Sequence, residues 1–286
     1  MKHINKLFIL LTFAAMVFAS CDKIENSDYI VYSGAAGEWN EGMGVADHSQ
    51  RTIIEKYTGV RCVNCPNADQ AISAAVSQYG GRLIAVSIHD SSSFTRPINS
   101  GDPRLSTEDG NAWSNYFGVR AAGEYPAALV SRTPNGSTWD LFNPTSGINT
   151  RVDQIVADDA NIAVAVGART NDGSVDITVN LEFIQAYSQQ LTVTLLIMED
   201  GLKVTQRQAD GSDDENYIHN HVLRDVITDL WGADVNCTGA AGEKRIALFK
   251  YNDYDSSWNL ANCHIVAYIS DKETRQILNV AECEIE

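Results

Sequence analysis

The hydrophobic period of this chain changes once, near Asn161, and that change limits the folds open to it. From Arg51 onward, "RTIIEKYTG" and "RLIAVSIH" read as buried strands rich in β-branched residues. Between them, "NADQAISAAVSQYG" places Ala68, Ile72, Ala75 and Val76 at helical spacing and stops at Gly80-Gly81. A helix is expected around Glu108 to Phe117, a third short strand in "YPAALVSR", and a closing helix in "INTRVDQIVADD". Strands alternating with helices predict an α/β unit over residues 51–159. Beyond Asn161 the period is two. "NIAVAVGAR", "SVDITVNLEFI", "QLTVTLLIME", "LKVTQRQ", "YIHNHVLRDVI", "KRIALFKY", "CHIVAYIS" and "ILNVAECEIE" are of strand length, with turn chemistry in breaks such as "TNDGS" and "EDG". Many strands with few helix signals predict an antiparallel β-sandwich over residues 160–286.

The first residues follow another logic. "MKHINKLFILLTFAAMVFASC" has Lys2 and Lys6, an apolar run from Leu7 to Phe18, and small residues before Cys21. This is the pattern of an export signal over residues 1–20, with an apolar run too short to span a bilayer comfortably. Its ending resembles a bacterial lipoprotein signal, although Phe18 stands where that signal usually has Leu. The resemblance implies lipidation of Cys21 and anchorage to a membrane, and the polar, Gly-containing stretch over residues 21–50 reads as a tether with little regular structure until its last residues. The formal charge of the whole chain is −16. Loss of residues 1–20 with their two lysines takes it to −18. That sign argues against nucleic-acid partners.

Outside the cytoplasm disulfides form and persist. With Cys21 acylated, the cysteines remaining are Cys62, Cys65, Cys237, Cys263 and Cys283. The stretch "GVRCVNCPNA" sets Cys62 and Cys65 two residues apart, between a predicted strand and a predicted helix. Free N–H groups and the dipole at a helix N-terminus stabilise a thiolate. Cys62 is then the candidate nucleophile and Cys65 the resolving thiol, and Pro66 fits the first helical turn. Downstream, Tyr125-Pro126 precedes the third strand, the place where a thioredoxin fold carries its cis-proline loop, so these two residues are candidates for positioning a substrate backbone. Thioredoxin-like reductants usually have tryptophan before the first cysteine and Gly-Pro inside the motif; here Arg61 and Val63-Asn64 stand there. A redox-active pair and a structural staple both remain open. No metal or cofactor is expected, because the other cysteines lie in the second half of the chain.

"IIEKYTGVRCVNCPNADQAI", the Tyr125-Pro126 loop and "YIHNHVLRDVI" together resemble the outer membrane protein 28-related lipoproteins over about residues 51–286. The resemblance implies an outer-membrane lipoprotein, periplasmic or surface-exposed. It implies a thioredoxin-like domain followed by a β-rich one, which the strand pattern over residues 160–286 leads us to expect as an immunoglobulin- or fibronectin-like β-sandwich. Redox and adhesin or receptor roles are both compatible with it, with extracytoplasmic proteins or peptides as partners.

Three further constellations have bland readings. His219 and His221, two apart, face one side of a strand, in a structural role beside Asp225, with Arg224 anchoring an ion pair. "ADGSDDENY" gathers Asp210, Asp213, Asp214 and Glu215 into an acidic loop whose spacing misses the EF-hand pattern. Cys263 and Cys283 flank an expected hairpin and are candidates for a cross-strand disulfide; a bond between Cys237 and Cys263 is the competitor.

Overall fold

The computed structural model describes residues 30–34, 47–234, 239–252 and 254–286. The expected signal segment, Cys21, most of the expected tether and Cys237 lie outside the described residues. The principal strands are β1 (Ile30–Gly34), β2 (Thr52–Thr58), β3 (Leu83–His89), β4 (Ala127–Val130), β5 (Ile162–Asn171), β6 (Ser174–Phe183), β7 (Leu191–Glu199), β8 (Val222–Val226), β9 (Lys244–Tyr251), β10 (Cys263–Asp271) and β11 (Ile277–Glu284). The α-helices are α1 (Cys65–Tyr79), α2 (Glu108–Tyr116), α3 (Val119–Ala122) and α4 (Ile148–Val156).

Two sheets carry the fold. The larger is mixed and runs β11-β10-β7-β8-β3-β2-β4, with Ala233–Asp234 added alongside β7. Within it β2 and β3 are parallel, while β4 runs antiparallel to β2. The smaller sheet is antiparallel, in the order β1-β9-β6-β5. Its edge strand β1 lies within the stretch expected to be a tether, and pairs with β9 from Ile30↔Leu248 to Gly34↔Lys244.

The change of period at residue 160 is visible as a change of element type, yet the hydrogen bonding crosses it. β8 meets β3 in parallel at Val222↔Ser87, and the Ser87 N–H donates to the His221 carbonyl at 2.7 Å. Strand β7 explains how this is possible. Every residue of "LTVTLLIME" is buried, so the strand is covered on both faces. Leu191, Val193, Leu195 and Ile197 pack towards the small sheet, with Val164, Leu181 and Phe249. Leu196 and Met198 point the other way, into a core shared with Tyr57, Val86, Trp113 and Phe117.

Alternation likewise splits β2 and β3. Ile54 and Ala85 face α1 and α4, packing on Ile72, Ala75 and Val152. Ile53, Tyr57 and Ile88 face α2. The predicted strand "LKVTQRQ" is instead two short ladders: Leu202–Lys203 pairs with Ile218–His219, and Gln206–Arg207 pairs with Asp213–Asp214. Residues 202–219 thus double back as a strap on the α1 side of the sheet. "YIHNHVLRDVI" is broken at His221, whose φ of 57° ends the alternation that would have put both histidines on one side.

The expected disulfide between Cys263 and Cys283 is absent. Across the β10–β11 hairpin Cys283 faces Ile265, so the two cysteines are diagonal neighbours on one face, and both are free thiols. Burial pushes each thiol up to about 12.

Candidate functional site

Strand β2 ends at Thr58, and a tight loop carries the chain into α1. In that loop Cys62 N–H donates to Gly59 O at 3.0 Å and Cys65 N–H to Cys62 O at 3.2 Å. The loop fits closely against the segment after β3. Arg61 N–H donates to Phe94 O at 2.8 Å, and a Cβ on Gly59 would lie 2.6 Å from that same oxygen, so only glycine allows this approach. Cys62 and Cys65 are joined in a disulfide with Cα atoms 5.4 Å apart. Asn64 is the N-cap of α1 without a side-chain cap bond, Pro66 occupies the first turn, and no acidic residue stands there. The free N–H groups of the helix start therefore face no competing carboxylate.

The register places Tyr125-Pro126 beside this loop. Tyr57 pairs with Ala127, so Pro126 comes next to Thr58, at the end of β2 from which the cysteine loop departs. The Tyr125–Pro126 peptide bond is cis. The Tyr125 ring packs 5.1 Å from Phe94, and its hydroxyl donates to the buried Asp90 carboxylate, which also accepts from Ser114 Oγ at 2.5 Å. Burial and this hydrogen bond push the Tyr125 phenol up to about 12. The side chain is thereby fixed, and it holds the loop before β4 against the loop after β3. The Arg61 guanidinium is engaged with the Arg96 and Pro97 carbonyls at 2.8 and 2.6 Å.

Two features of the site were not legible in the sequence motif. The first is its cover. Cys62 is 3% exposed and Cys65 fully buried, while Val63 between them is 37% exposed. The strap from the second half of the chain closes over the loop. Gln206 Nε2 donates to Cys62 O at 3.1 Å, Arg207 N–H to Val60 O at 2.8 Å, and Val60 packs with Val204, Leu105 and Val222.

The second feature is a buried polar layer under the first turn of α1. Lys56 and Ser87 are paired across β2 and β3, as are Thr58 and His89, and all four are buried. The Lys56 ammonium forms an ion pair with Asp69 of α1, and Asp69 also accepts from Tyr217 Oη of the strap at 2.8 Å. Among the described residues neither ring nitrogen of His89 has a hydrogen-bond partner, and its ring lies 5.9 Å from that of His219, whose Nε2 is 3.1 Å from Val204 O. Desolvation drives Lys56 down to about 7 and His219 to about 4, and holds His89 well below its ordinary value. The signal in sequence was a lysine within the apolar run "TIIEKYT" and a histidine closing "LIAVSIH".

The remaining candidates are structural. His221 Nδ1 lies 3.5 Å from Asp200, Arg224 pairs with Glu199 at 3.4 Å, and Tyr251 Oη donates to Asp225 at 2.9 Å. In the acidic turn Asp213 is held by Arg207 at 2.9 and 3.1 Å, and Asp210 by the Ser212 N–H at 2.9 Å. No group of three or more His, Cys, Asp or Glu side chains suited to a metal ion occurs among the described residues.

A helix-start disulfide beside a cis-proline, on a mixed sheet that continues into an antiparallel β-rich half, defines a mixed α/β protein with a CxxC site. Residues 110–286 match the family model for outer membrane protein Omp28. The chain belongs to the Omp28 family of outer-membrane proteins; the CxxC loop precedes the matched span. Among solved structures, HBP35 of Porphyromonas gingivalis is similar at a TM-score of 0.64 and 15% identity, over 84% of this chain and 77% of that one. Protein AGR_C_4864 from Agrobacterium tumefaciens is similar at 0.50 and 18%, over 83% and 95%. A domain of the outer membrane lipoprotein Omp28 from Porphyromonas gingivalis gives 0.31 and 20%, over 44% and 89%. Comparison with curated proteins gave no match. Among the described residues no helix is long and apolar enough to cross a membrane.

Proposed function

We propose that this outer-membrane protein exchanges thiols and disulfides on extracytoplasmic proteins or peptides through Cys62 and Cys65, and that a lipid on Cys21 anchors it. The observation that carries this reading is the disulfide at the N-terminus of α1 beside the cis Tyr125–Pro126 bond. Cys62 attacks the partner's sulfur, and Cys65, at the helix start, resolves the mixed disulfide. Tyr125-Pro126 positions the partner's extended backbone. In this reading residues 51–159 are a thioredoxin-like unit, supported by the strand order β3-β2-β4 with α1 and α4 on one face and α2 on the other. Residues 160–286 are an immunoglobulin- or fibronectin-like sandwich, supported by the packing of β5, β6 and β9 onto β7, β10 and β11. Cys62→Ser should abolish insulin reduction and thiol oxidation by the purified protein. Full activity in that variant would end this reading.

A second reading makes the chain a non-enzymatic surface binding or adhesion protein whose CxxC bond is a structural staple. The burial of both sulfur-bearing residues beneath the strap favours it. The reduction potential of the pair separates the two. A value below about −300 mV marks a staple and a higher one an exchangeable bond.

A further inference from the structure

A disulfide exchanges only when a thiolate can reach one of its sulfurs. With Cys62 and Cys65 both buried and the strap lying against the Cys62 carbonyl, that route is shut. Some part of the cover must move, and the attachments around the pair show which. The cysteine loop is fixed: Gly59 packs too close to Phe94 for any side chain, and Arg61 is bonded to Phe94, Arg96 and Pro97. Helix α1 is fixed through Ile72 and Ala75 in the core beneath it. The strap is held differently. It connects β7 to β8, whose last rung is Glu199↔Val222. At its neck the Gly201 N–H donates to Asn220 Oδ1 at 2.9 Å, and the His221 N–H to Asp200 Oδ1 at 2.5 Å. The two ends are thus clasped to each other, and both turn out of the sheet at a positive φ, 76° at Gly201 and 57° at His221. Beyond the neck its ladders are two residues long each, and residues 209–213 at its tip are exposed. It meets the first half through single contacts: Gln206 on Cys62, Arg207 on Val60, Thr205 on Asn99, Tyr217 on Asp69, and Val204 against Val60 and Leu105. Short ladders and single contacts put a segment at the low-stability end of a fold.

Resting on the exchange reading above, we infer that residues 202–219 are a lid that turns about Gly201 and His221, and that the Cys62–Cys65 bond is attacked only from the open form. Opening breaks the bonds of Gln206 to Cys62 O and of Arg207 to Val60 O, and lifts Val204 off Val60. The neck bonds persist, because they join the lid's own ends and make no contact with the cysteine loop. A few element-terminal residues that absorb the change in φ and ψ are what a hinge requires. The rate of exchange is then the intrinsic rate multiplied by the open fraction. Opening also frees the Val60 and Cys62 carbonyls. An extended peptide, whose backbone N–H groups can replace Gln206 and Arg207 on those acceptors, favours the open form, whereas a small thiol waits for spontaneous opening.

The test pairs two measurements on the full, folded, oxidised protein at one pH. Amide hydrogen exchange by NMR reads lid opening at Arg207, whose N–H is bonded to Val60 O. Reduction by dithiothreitol reads access to the sulfur. One dithiothreitol thiolate bonds to Cys62 Sγ as Cys65 leaves and takes a proton from solvent; the second thiolate then closes the oxidised reagent's ring and releases Cys62, so the reagent supplies both electrons. In the wild type the Arg207 amide should exchange at least about tenfold faster than the amides of β7 and β10. Gln206→Ala, which removes one hydrogen bond, should raise Arg207 exchange and disulfide reduction by the same factor, about fivefold, with β7 and β10 unchanged. Val204→Ala should raise both together through lost packing. The wild-type comparison stands by itself where a variant does not fold. An Arg207 amide no faster than those of β7 and β10 overturns the lid, as does an unchanged reduction rate in a variant whose Arg207 exchange has risen; either result leaves the exchange reading standing. A bond that dithiothreitol reduces in none of the three proteins overturns both.

Discussion

Glu55 and Arg132 form a buried ion pair at the junction of the two halves, and its removal tests how the larger sheet is held together. Arg132 is 1% exposed and Glu55 fully buried. Nε and Nη2 of Arg132 donate to the two carboxylate oxygens at 2.9 and 2.6 Å, a bidentate pair. The guanidinium also lies 4.6 Å from the Trp113 ring, 5.0 Å from Phe117, 5.1 Å from Tyr268 and 5.8 Å from Trp231. Helix α2, strand β10 and the Trp231 turn thus converge on one cation. Burial opposes its charge, and the Glu55 carboxylate more than offsets that, so the guanidinium is held above its ordinary value. Glu55→Ala would leave a guanidinium desolvated with only ring faces beside it. Breaking a buried pair in this way costs about 3–5 kcal/mol, and the ring faces, already in place in the wild type, offset none of it. At roughly 2–4 °C per kcal/mol for a large domain, the loss corresponds to about 6–20 °C in Tm. The assay is urea denaturation with a scan of Tm. Glu55→Gln, which keeps acceptor and donor but loses the charge, should fall between Glu55→Ala and the wild type. A Glu55→Met and Arg132→Met double variant should recover most of the loss, since an apolar replacement of both partners is often near neutral. A Glu55→Ala variant within about 1 kcal/mol of the wild type would refute this reasoning, as would a double variant no better than the single one.

Two other predictions concern the buried titratable groups. His219 and His89 are neutral in the fold with values below the unfolded 6.5, so their stabilising contribution is complete above that pH. For His219 it is lost as pH falls through the window from about 6.5 to about 4, and for His89, held well below its ordinary value, it begins to be lost as pH falls below about 6.5. For His219 alone this is roughly 3 kcal/mol over the whole window. His219→Gln should therefore flatten the fall in urea-unfolding free energy between pH 6.5 and pH 5, and an unchanged slope would show that the ring is solvated. Cys263 and Cys283, with thiols raised to about 12, should resist iodoacetamide at pH 8 in the native protein and react fully after unfolding without reductant, as mass spectrometry of peptides will show. A disulfide recovered between them would contradict the diagonal register.

Which parts of this protein follow from local chemistry and which from assembly can be seen residue by residue. The 3.6 spacing of Ala68, Ile72 and Ala75, and the alternation in "SVDITVNLEF", set the identity of α1 and β6, because burial of one face depends only on near neighbours. The position of Cys62 and Cys65 before a helix, and of Tyr125-Pro126 before a strand, was legible for the same reason. What sequence alone could not supply depends on contacts far apart along the chain. The joining of β3 to β8 pairs Ser87 with Val222 through backbone groups that carry no side-chain signature. Cys263 and Cys283 flank one hairpin, but the ladder sets Cys283 opposite Ile265, two residues from Cys263, with a one-residue register shift between Ile269 and Ser270 contributing to the offset. The closure of Gln206 over Cys62 and of Tyr217 over Asp69 belongs to the cover that buries the disulfide and Lys56. The sequence by itself determined that a CxxC pair stands at a helix start in a chain whose second half is β-rich. Only the tertiary structure decided that the pair is covered and backed by a buried amine, because desolvation is a property of everything that surrounds a group and of no segment alone.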